Sequence, residues 1–291
     1  MKPPPVKYAR AGDVAEAVAL LTEHGSDAKV LAGGQSLIPL MNFRLARPSV
    51  LIDINRAAGL DGIRVENGSL VIGAMARQRD VETSDVAAGA VPLLPQVLRH
   101  VGHVTNRNRG TVGGSLAHAD PAAELPALVT GLGGELLVQG PGGSRLVAAE
   151  DYFLGTFTTA MEFDEVLTGV RLPRLPAGTG VAVEELARRH GDFAIVATMA
   201  AIHLAADGTV DLVRLAASGV ASVPVRLHGA EAVLAGIAPT AEAIDAAAET
   251  VAGSIKPTGD VHAPADYRRD MAGLLVRRAL RTAIQRTEVA A

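Results

Sequence analysis

Ala28-Lys29-Val30-Leu31-Ala32-Gly33-Gly34-Gln35-Ser36 reads as a short strand running into paired glycines. Glycines at the end of a strand let the backbone take positive φ and bring its N–H groups close to a ligand. A second stretch, Thr111-Val112-Gly113-Gly114-Ser115, repeats the pattern. Each pair is followed by a hydroxyl residue and a helix start, where N–H groups and the helix dipole favour an anion. Either turn alone reads more readily as an ordinary tight turn than as a ligand site. Two together could hold a pyrophosphate with hardly any positive side chain, and the expectation is a nucleotide cofactor.

Composition narrows the chemistry. The chain has 291 residues, 48% of them hydrophobic, enough for two domains with sizeable cores. The formal net charge is −4 and the arginines are scattered, so nothing suggests nucleic acid or an anionic membrane as partner. There is no cysteine, which removes thiolate metal sites, Fe–S ligation, cysteine nucleophiles and disulfides from this chain. Redox chemistry here must use a bound organic cofactor. Met1-Lys2-Pro3-Pro4-Pro5 leads into no apolar segment of the signal-peptide kind, and Ala194–Ala206, punctuated by Thr198 and His203, is too short to span a bilayer. A cytoplasmic location is expected.

Working outward from the first glycine turn, Asp13–His24 is expected as a helix with Asp13 as N-cap, Glu16 closing a capping box and Gly25 ending it. Ser36–Phe43 reads as a short helix containing Pro39, and Val50–Ile54 as a buried strand. Gly62–Glu66 and Ser69–Ile72 meet in a hairpin at Asn67-Gly68. Helices follow near 77–83, 92–101 and 122–132, then strands at 134–139, 145–147 and 165–172. Pro173-Arg174-Leu175-Pro176-Ala177-Gly178 is the expected linker. Beyond it, Val181–Arg189, Ile195–Ala205 and Val210–Ser218 read as three antiparallel strands, and Val225–Leu234, Thr240–Val251 and Tyr267–Arg286 as helices. On the last helix, Met271, Leu274, Leu275, Ala279 and Ile284 are expected on one face with arginines opposite. The expected class is α+β, with residues 1–175 as one domain (subdomains about 1–56 and 57–175) and 176–291 as a second, smaller one.

No Gly-x-Gly-x-x-Gly, P-loop or Gly-x-Ser-x-Gly occurs, so a Rossmann dinucleotide site, a Walker ATPase and an esterase elbow are unsupported. His118-Ala119-Asp120 and His100-Val101-Gly102-His103 have metal-like spacing without a third ligand nearby, and structural histidines are the plainer reading. Glu124 reads as a first-turn acid complementing a helix dipole. Arg188–Asp192 with Phe193 is a polar kink between apolar strands, either exposed or turned towards a ligand.

Two segments carry a family resemblance. Val30–Pro39, followed by Pro48-x-x-Leu51-Ile52-Asp53-Ile54, resembles the FAD-binding medium subunit of molybdenum hydroxylases, the xanthine dehydrogenase and aerobic carbon monoxide dehydrogenase family. Asn106-Arg107-Asn108-Arg109-Gly110-Thr111-Val112-Gly113-Gly114-Ser115-Leu116-Ala117-His118-Ala119-Asp120-Pro121 is similar to the second family motif, and Arg188–Ala194 to the start of the C-terminal flavoprotein domain. The resemblance covers nearly the whole chain. It implies a two-subdomain FAD-binding PCMH-type domain of the vanillyl-alcohol-oxidase kind, followed by a small domain of a three-stranded sheet plus helices. It implies FAD on Leu31, Ala32, Gly33, Gly34, Gln35, Ser36 and Leu37 and on Thr111, Gly113, Gly114 and Ser115. By the same resemblance Asp120 meets the ribityl chain, Glu124 the adenosine ribose, and Phe193 covers the isoalloxazine. No histidine stands in a flavinylation context, so the FAD is expected to be non-covalent. Gln35 stands where the carbon monoxide enzymes usually carry His, which argues against CO as substrate.

The function implied is an electron-transfer subunit without catalytic residues or metal of its own. A partner large subunit would carry Mo-molybdopterin and a partner small subunit [2Fe-2S] clusters, in a dimer of heterotrimers. The alternative is a self-contained flavin oxidoreductase of the same fold acting directly on a small substrate, which would need an acid or base beside the flavin. A cofactor-free scaffold is a third reading, disfavoured by the two intact glycine motifs.

Overall fold

The computed structural model describes residues 2–287, so the ends of both expected domains, Met1 and 288–291, lie outside the described residues. A first sheet joins β1 (Lys7–Arg10), β2 (Ala28–Leu31) and β3 (Val50–Asp53) in the order β1-β3-β2, all parallel. Parallel neighbours require crossovers, supplied by α1 (Val14–His24) and α2 (Leu37–Asn42). The continuous apolar run of β3 puts it in the centre, buried through Val50, Leu51 and Ile52. Strand β1 was not expected; three of its four residues are exposed, as an edge strand allows. Asp13 caps α1 by accepting from the Glu16 N–H at 2.8 Å. The Glu16 carboxylate closes back on the Gly12 N–H at 2.7 Å, one residue upstream of an ordinary capping box.

The second sheet has the order β4-β5-β10-β6-β7, all antiparallel. Its strands are β4 (Ile63–Glu66), β5 (Ser69–Gly73), β6 (Glu135–Gly140), β7 (Gly143–Ala148) and β10 (Val166–Pro173). Asn67 and Gly68 both take positive φ, 50° and 75°, as the tight turn between β4 and β5 requires. Between β5 and β6 run α3 (Gln78–Glu82), α4 (Asp85–Ala90), α5 (Leu93–Leu98), α6 (Val104–Arg107), α7 (Val112–His118) and α8 (Glu124–Gly131). Helix α9 (Ala149–Tyr152) and the small hairpin β8 (Phe153–Gly155) and β9 (Thr158–Thr159) lie between β7 and β10.

The third sheet runs β11 (Gly180–Leu186), β12 (Val196–Leu204), β13 (Val210–Ser218), β14 (Val225–Arg226). The expected three strands thus gain a short fourth, because Val225 and Arg226 pair with Ala217 and Ala216 before α10 (His228–Leu234) begins. Every residue of β12 is buried. The reason is that one face of the sheet joins the core of the preceding part through Val181, Met199 and Ala201, while α10, α11 (Ala241–Ser254) and α12 (Ala265–Gln285) cover the other. His203, within that run, is balanced by Asp211, whose Oδ1 lies 2.6 Å from Nδ1.

The buried stripe of α12 is Ala272, Leu275, Val276, Ala279, Leu280 and Ala283, which pack on this sheet; Leu274 is exposed. The expected face is thus rotated, since Leu274 and Ile284 are not its centre. Arg268 is not among the exposed arginines either: it is buried and donates to the Ile195 and Gly219 carbonyls and, at 2.7 Å, to Asp260. No helix among the described residues is long and apolar enough to cross a membrane.

Candidate functional site

The turn after β2 takes its shape from Gly34, at φ 70°. Ile38 N–H bonds to the Gly34 carbonyl at 3.1 Å and starts α2, while Ser36 makes no side-chain cap. None of the N–H groups of Gly33, Gly34, Gln35, Ser36 and Leu37 donates to an acceptor among the described residues. Five successive N–H groups at one turn are thus left open to an outside acceptor.

Gly33 brings the two glycine stretches together. A Cβ there would lie 2.3 Å from the Arg109 carbonyl oxygen and 3.0 Å from Gly110 Cα. The backbone just before the second turn therefore lies directly on the first. Beside it, a Cβ on Gly114 would be 3.7 Å from that of Ala32.

Side chains lock this contact, and of them sequence reasoning names Gln35 as a site residue but not Asn55 or Arg77. Asn55 Nδ2 donates to the Ala32 carbonyl at 2.9 Å and to Asp53 Oδ1 at 2.7 Å. Arg77 donates to Asn55 Oδ1 at 2.8 Å and to the Arg109 carbonyl at 2.5 Å, spanning both motifs. Asn106 Nδ2 donates to Gln35 Oε1 at 3.3 Å, and Gln35 Nε2 to the Gly33 carbonyl at 3.2 Å. Burial works against ionisation of Asp53, but hydrogen bonds from the Tyr8 hydroxyl and from Asn55 outweigh it and hold the carboxyl below its usual range. Only the placement of Asn55 at the end of β3 was a signal in the sequence; Arg77 carried none.

The second turn differs from the first. Its N–H groups are not free: Val112 donates to Ala76 at 3.0 Å, Gly113 to Ala74 at 2.9 Å, and Gly114 to the capping Thr111 Oγ1 at 3.0 Å. Gly113 is glycine for packing, since a Cβ there would lie 2.4 Å from Ala74 Cβ. The second turn buttresses the first, and the open donors belong to residues 33–37.

At the far end of α7, Ala119 turns the chain at φ 53°, and Asp120 Oδ1 accepts from the Ala122 N–H at 2.9 Å. Glu124 opens α8 and is 3% exposed, too buried for the dipole-complementing surface acid that its position suggested. Burial, with a smaller push from Glu185 and Asp120, raises its carboxyl to about 8, so it is largely protonated at neutral pH. Next to it, His100 Nδ1 lies 3.5 Å from Glu185 Oε1; that hydrogen bond raises the imidazole above its ordinary value. His118 instead stacks on Phe157 with ring centroids 4.9 Å apart. The spaced histidines thus go to separate structural partners.

In the Arg188–Asp192 loop, Arg188, Arg189 and His190 are exposed. Gly191, at φ 87°, lies against the His103 ring, where a Cβ would stand 2.7 Å from Cε1. His103 precedes α6, whose Asn106 bonds Gln35, so the loop borders the glycine network. Phe193, at its end, is 56% exposed, an aromatic face open to a flat ligand ring. The free N–H row at residues 33–37 is of the kind that fits a pyrophosphate.

The comparisons agree across the chain. Residues 4–175 match the family described as FAD binding domain in molybdopterin dehydrogenase, and residues 181–283 the CO dehydrogenase flavoprotein C-terminal domain. The carbon monoxide dehydrogenase medium chain of Hydrogenophaga pseudoflava is 42% identical over 283 residues, covering 97% of this chain and 98% of that one. The 6-hydroxypseudooxynicotine dehydrogenase complex subunit alpha of Paenarthrobacter nicotinovorans is 38% identical over 286 residues, covering 98% and 97%. A solved structure of the H. pseudoflava carbon monoxide dehydrogenase superposes with a TM-score of 0.96 at 43% identity, covering 99% of this chain and 100% of that one. This chain accordingly belongs to the FAD-binding medium subunits of the molybdenum hydroxylases, a family of oxidoreductase complexes.

Proposed function

We propose that this chain is the electron-transfer flavoprotein subunit of a multi-subunit molybdenum hydroxylase, acting with a molybdopterin large subunit and a [2Fe-2S] small subunit in the cytoplasm. The observation that carries the reading is the row of unsatisfied N–H groups at residues 33–37, lying against the Arg109–Gly110 backbone. FAD bound there supplies two-electron redox chemistry between the partner's clusters and an external acceptor.

The chain's own residues bind and orient. Gly33–Leu37 hold the pyrophosphate through backbone N–H groups, without a cationic side chain, and Leu31 and Ala32 line the FAD beside them. Thr111, Gly113, Gly114 and Ser115 hold the opposing turn in place. Arg77 and Asn55 keep the two turns in register by hydrogen bonds to both. Asp120 faces the ribityl chain and Glu124 the adenosine ribose. Phe193 lies against the isoalloxazine and restricts water there. No side chain attaches the flavin covalently.

The carbon monoxide dehydrogenase and the 6-hydroxypseudooxynicotine dehydrogenase subunit are nearly equal in identity to this chain, at 42% and 38%. Relatives of such different substrates fit a subunit that handles electrons and leaves substrate choice to the molybdenum subunit. The test uses the isolated chain. It should be yellow with a single FAD, release the flavin on acid precipitation, be reduced by dithionite and be reoxidised by an added acceptor. It should not be reduced by purines, aldehydes or N-heterocycles. Rapid substrate-dependent bleaching would replace this reading with a self-contained flavoenzyme, and flavin left in the acid pellet would overturn the non-covalent assignment.

A further inference from the structure

A cavity of about 460 Å³ lies where α5 meets β11 and the end of α12. It is lined on one side by Gln96, Arg99 and His100, and on the other by Glu184, Thr282 and Arg286. The charges are unbalanced. Arg99 has no hydrogen-bond or ion-pair partner among the described residues. Arg286 spends one nitrogen on neutral oxygens, Gln96 Oε1 at 3.2 Å and the Val181 carbonyl at 2.9 Å, and meets no carboxylate among the described residues. Glu184 is engaged by Arg278 at 3.4 Å, and Glu185 by His100 at 3.5 Å. Among the described residues, two guanidiniums, an imidazole, a hydroxyl and an amide donor thus border one concave space whose one lining acid, Glu184, is engaged by Arg278. Guanidinium forks match the planar oxygens of carboxylates and phosphates.

We propose that this cavity binds a small oxyanion, a phosphate or carboxylate compound, that ties the FAD-binding part of the chain to its C-terminal sheet. One wall comes from α5 and the other from β11 and α12, so a ligand bridging Arg99 and Arg286 pins the two parts together. A metabolite anion held there would stabilise the subunit without touching the flavin. The inference does not depend on the flavin assignment.

The test titrates inorganic phosphate, and separately malonate and succinate, into the full-length chain at fixed pH and ionic strength. Sodium chloride serves as control, and calorimetry and thermal melts as readouts. Saturable binding with a rise in melting temperature is expected, and the relative strength of phosphate and dicarboxylate identifies the chemical source. Arg99→Gln should weaken it at least tenfold with an unchanged melt in chloride, because Arg99 holds nothing else. Arg286→Lys should also weaken it. Arg286→Gln, which loses its bonds to Gln96 and Val181, should lower the melt even without anion. Binding that ignores Arg99→Gln, or shifts no larger than those from chloride, would overturn the proposal. So would Arg99→Gln that weakens assembly with the partner subunits while no free oxyanion binds, since the cavity would then accept a partner's acidic side chain.

Discussion

Replacing Gly33 by Ala sets the ligand role of the first turn against a merely structural one. The added Cβ would stand 2.3 Å from the Arg109 carbonyl oxygen. Ordinary van der Waals separation begins near 3.4 Å, so the two backbone stretches must part by about 1 Å. That movement opens the Arg77 bridge and spreads the N–H row at 33–37. A charge-assisted hydrogen bond contributes about 1.5–3 kcal/mol, so misaligning two should cost about 3–6 kcal/mol of FAD affinity. The dissociation constant should rise by roughly two to four decades. The comparison is Gly113→Ala, whose Cβ would lie 2.4 Å from that of Ala74. Both changes overpack the protein and should cost about 1–3 kcal/mol of apoprotein stability. Only Gly33→Ala should lose the rise in melting temperature that FAD confers, since a ligand stabilises only a protein that binds it. Flavin fluorescence titration of folded apoprotein gives the affinities directly. Parent-like FAD affinity in Gly33→Ala, or equal losses in both variants, would refute the reasoning.

Glu124 supports two further predictions. Glu124→Ala should weaken FAD by roughly one to two decades through loss of a ribose hydrogen bond, and weaken FMN, which lacks the adenosine, far less; flavin titrations of the apoprotein check this. In the apoprotein, the folded-state value of about 8 against an ordinary 4.5 means that the fold favours the protonated form. The stabilisation is present in full below about 4.5 and is lost as pH rises towards 8. Each unit is worth about 1.4 kcal/mol as an upper bound, so the parent should lose at most a few kcal/mol over that window. Glu124→Gln should flatten most of the slope in denaturant melts. A residue should persist from His100, whose raised value also makes stability fall as pH rises. An unchanged slope in the Gln variant would place the carboxyl in water.

What the sequence made legible and what it hid follow from the range of each interaction. Helix α1, the Asn67-Gly68 turn and the buried strand β3 are written in neighbouring residues, through caps, a turn dipeptide and an apolar run. Strands β1 and β14 are short and part-exposed, and are strands only because β3 and β13 offer them edges. The burial of β12 on both faces explains why its pattern showed no alternation. The face of α12 was misplaced because a helix of small residues and arginines leaves its stripe to be chosen by the sheet beneath it. In the site, Gly33 and Gly113 look alike in sequence, yet one rests on the Arg109 backbone beside open donors and the other on Ala74. Arg77 joins Asn55 and Arg109, 22 and 32 residues away, so no local pattern announces it.

Amide hydrogen exchange of the segment spanning residues 33–37, with and without stoichiometric FAD, tests the central claim most directly. Without flavin these N–H groups have no acceptor among the described residues and should exchange fast. With FAD they should be strongly protected, more than any change at Gly113 and Gly114, whose N–H groups are already bonded. FAD that binds yet leaves residues 33–37 unprotected would contradict the account.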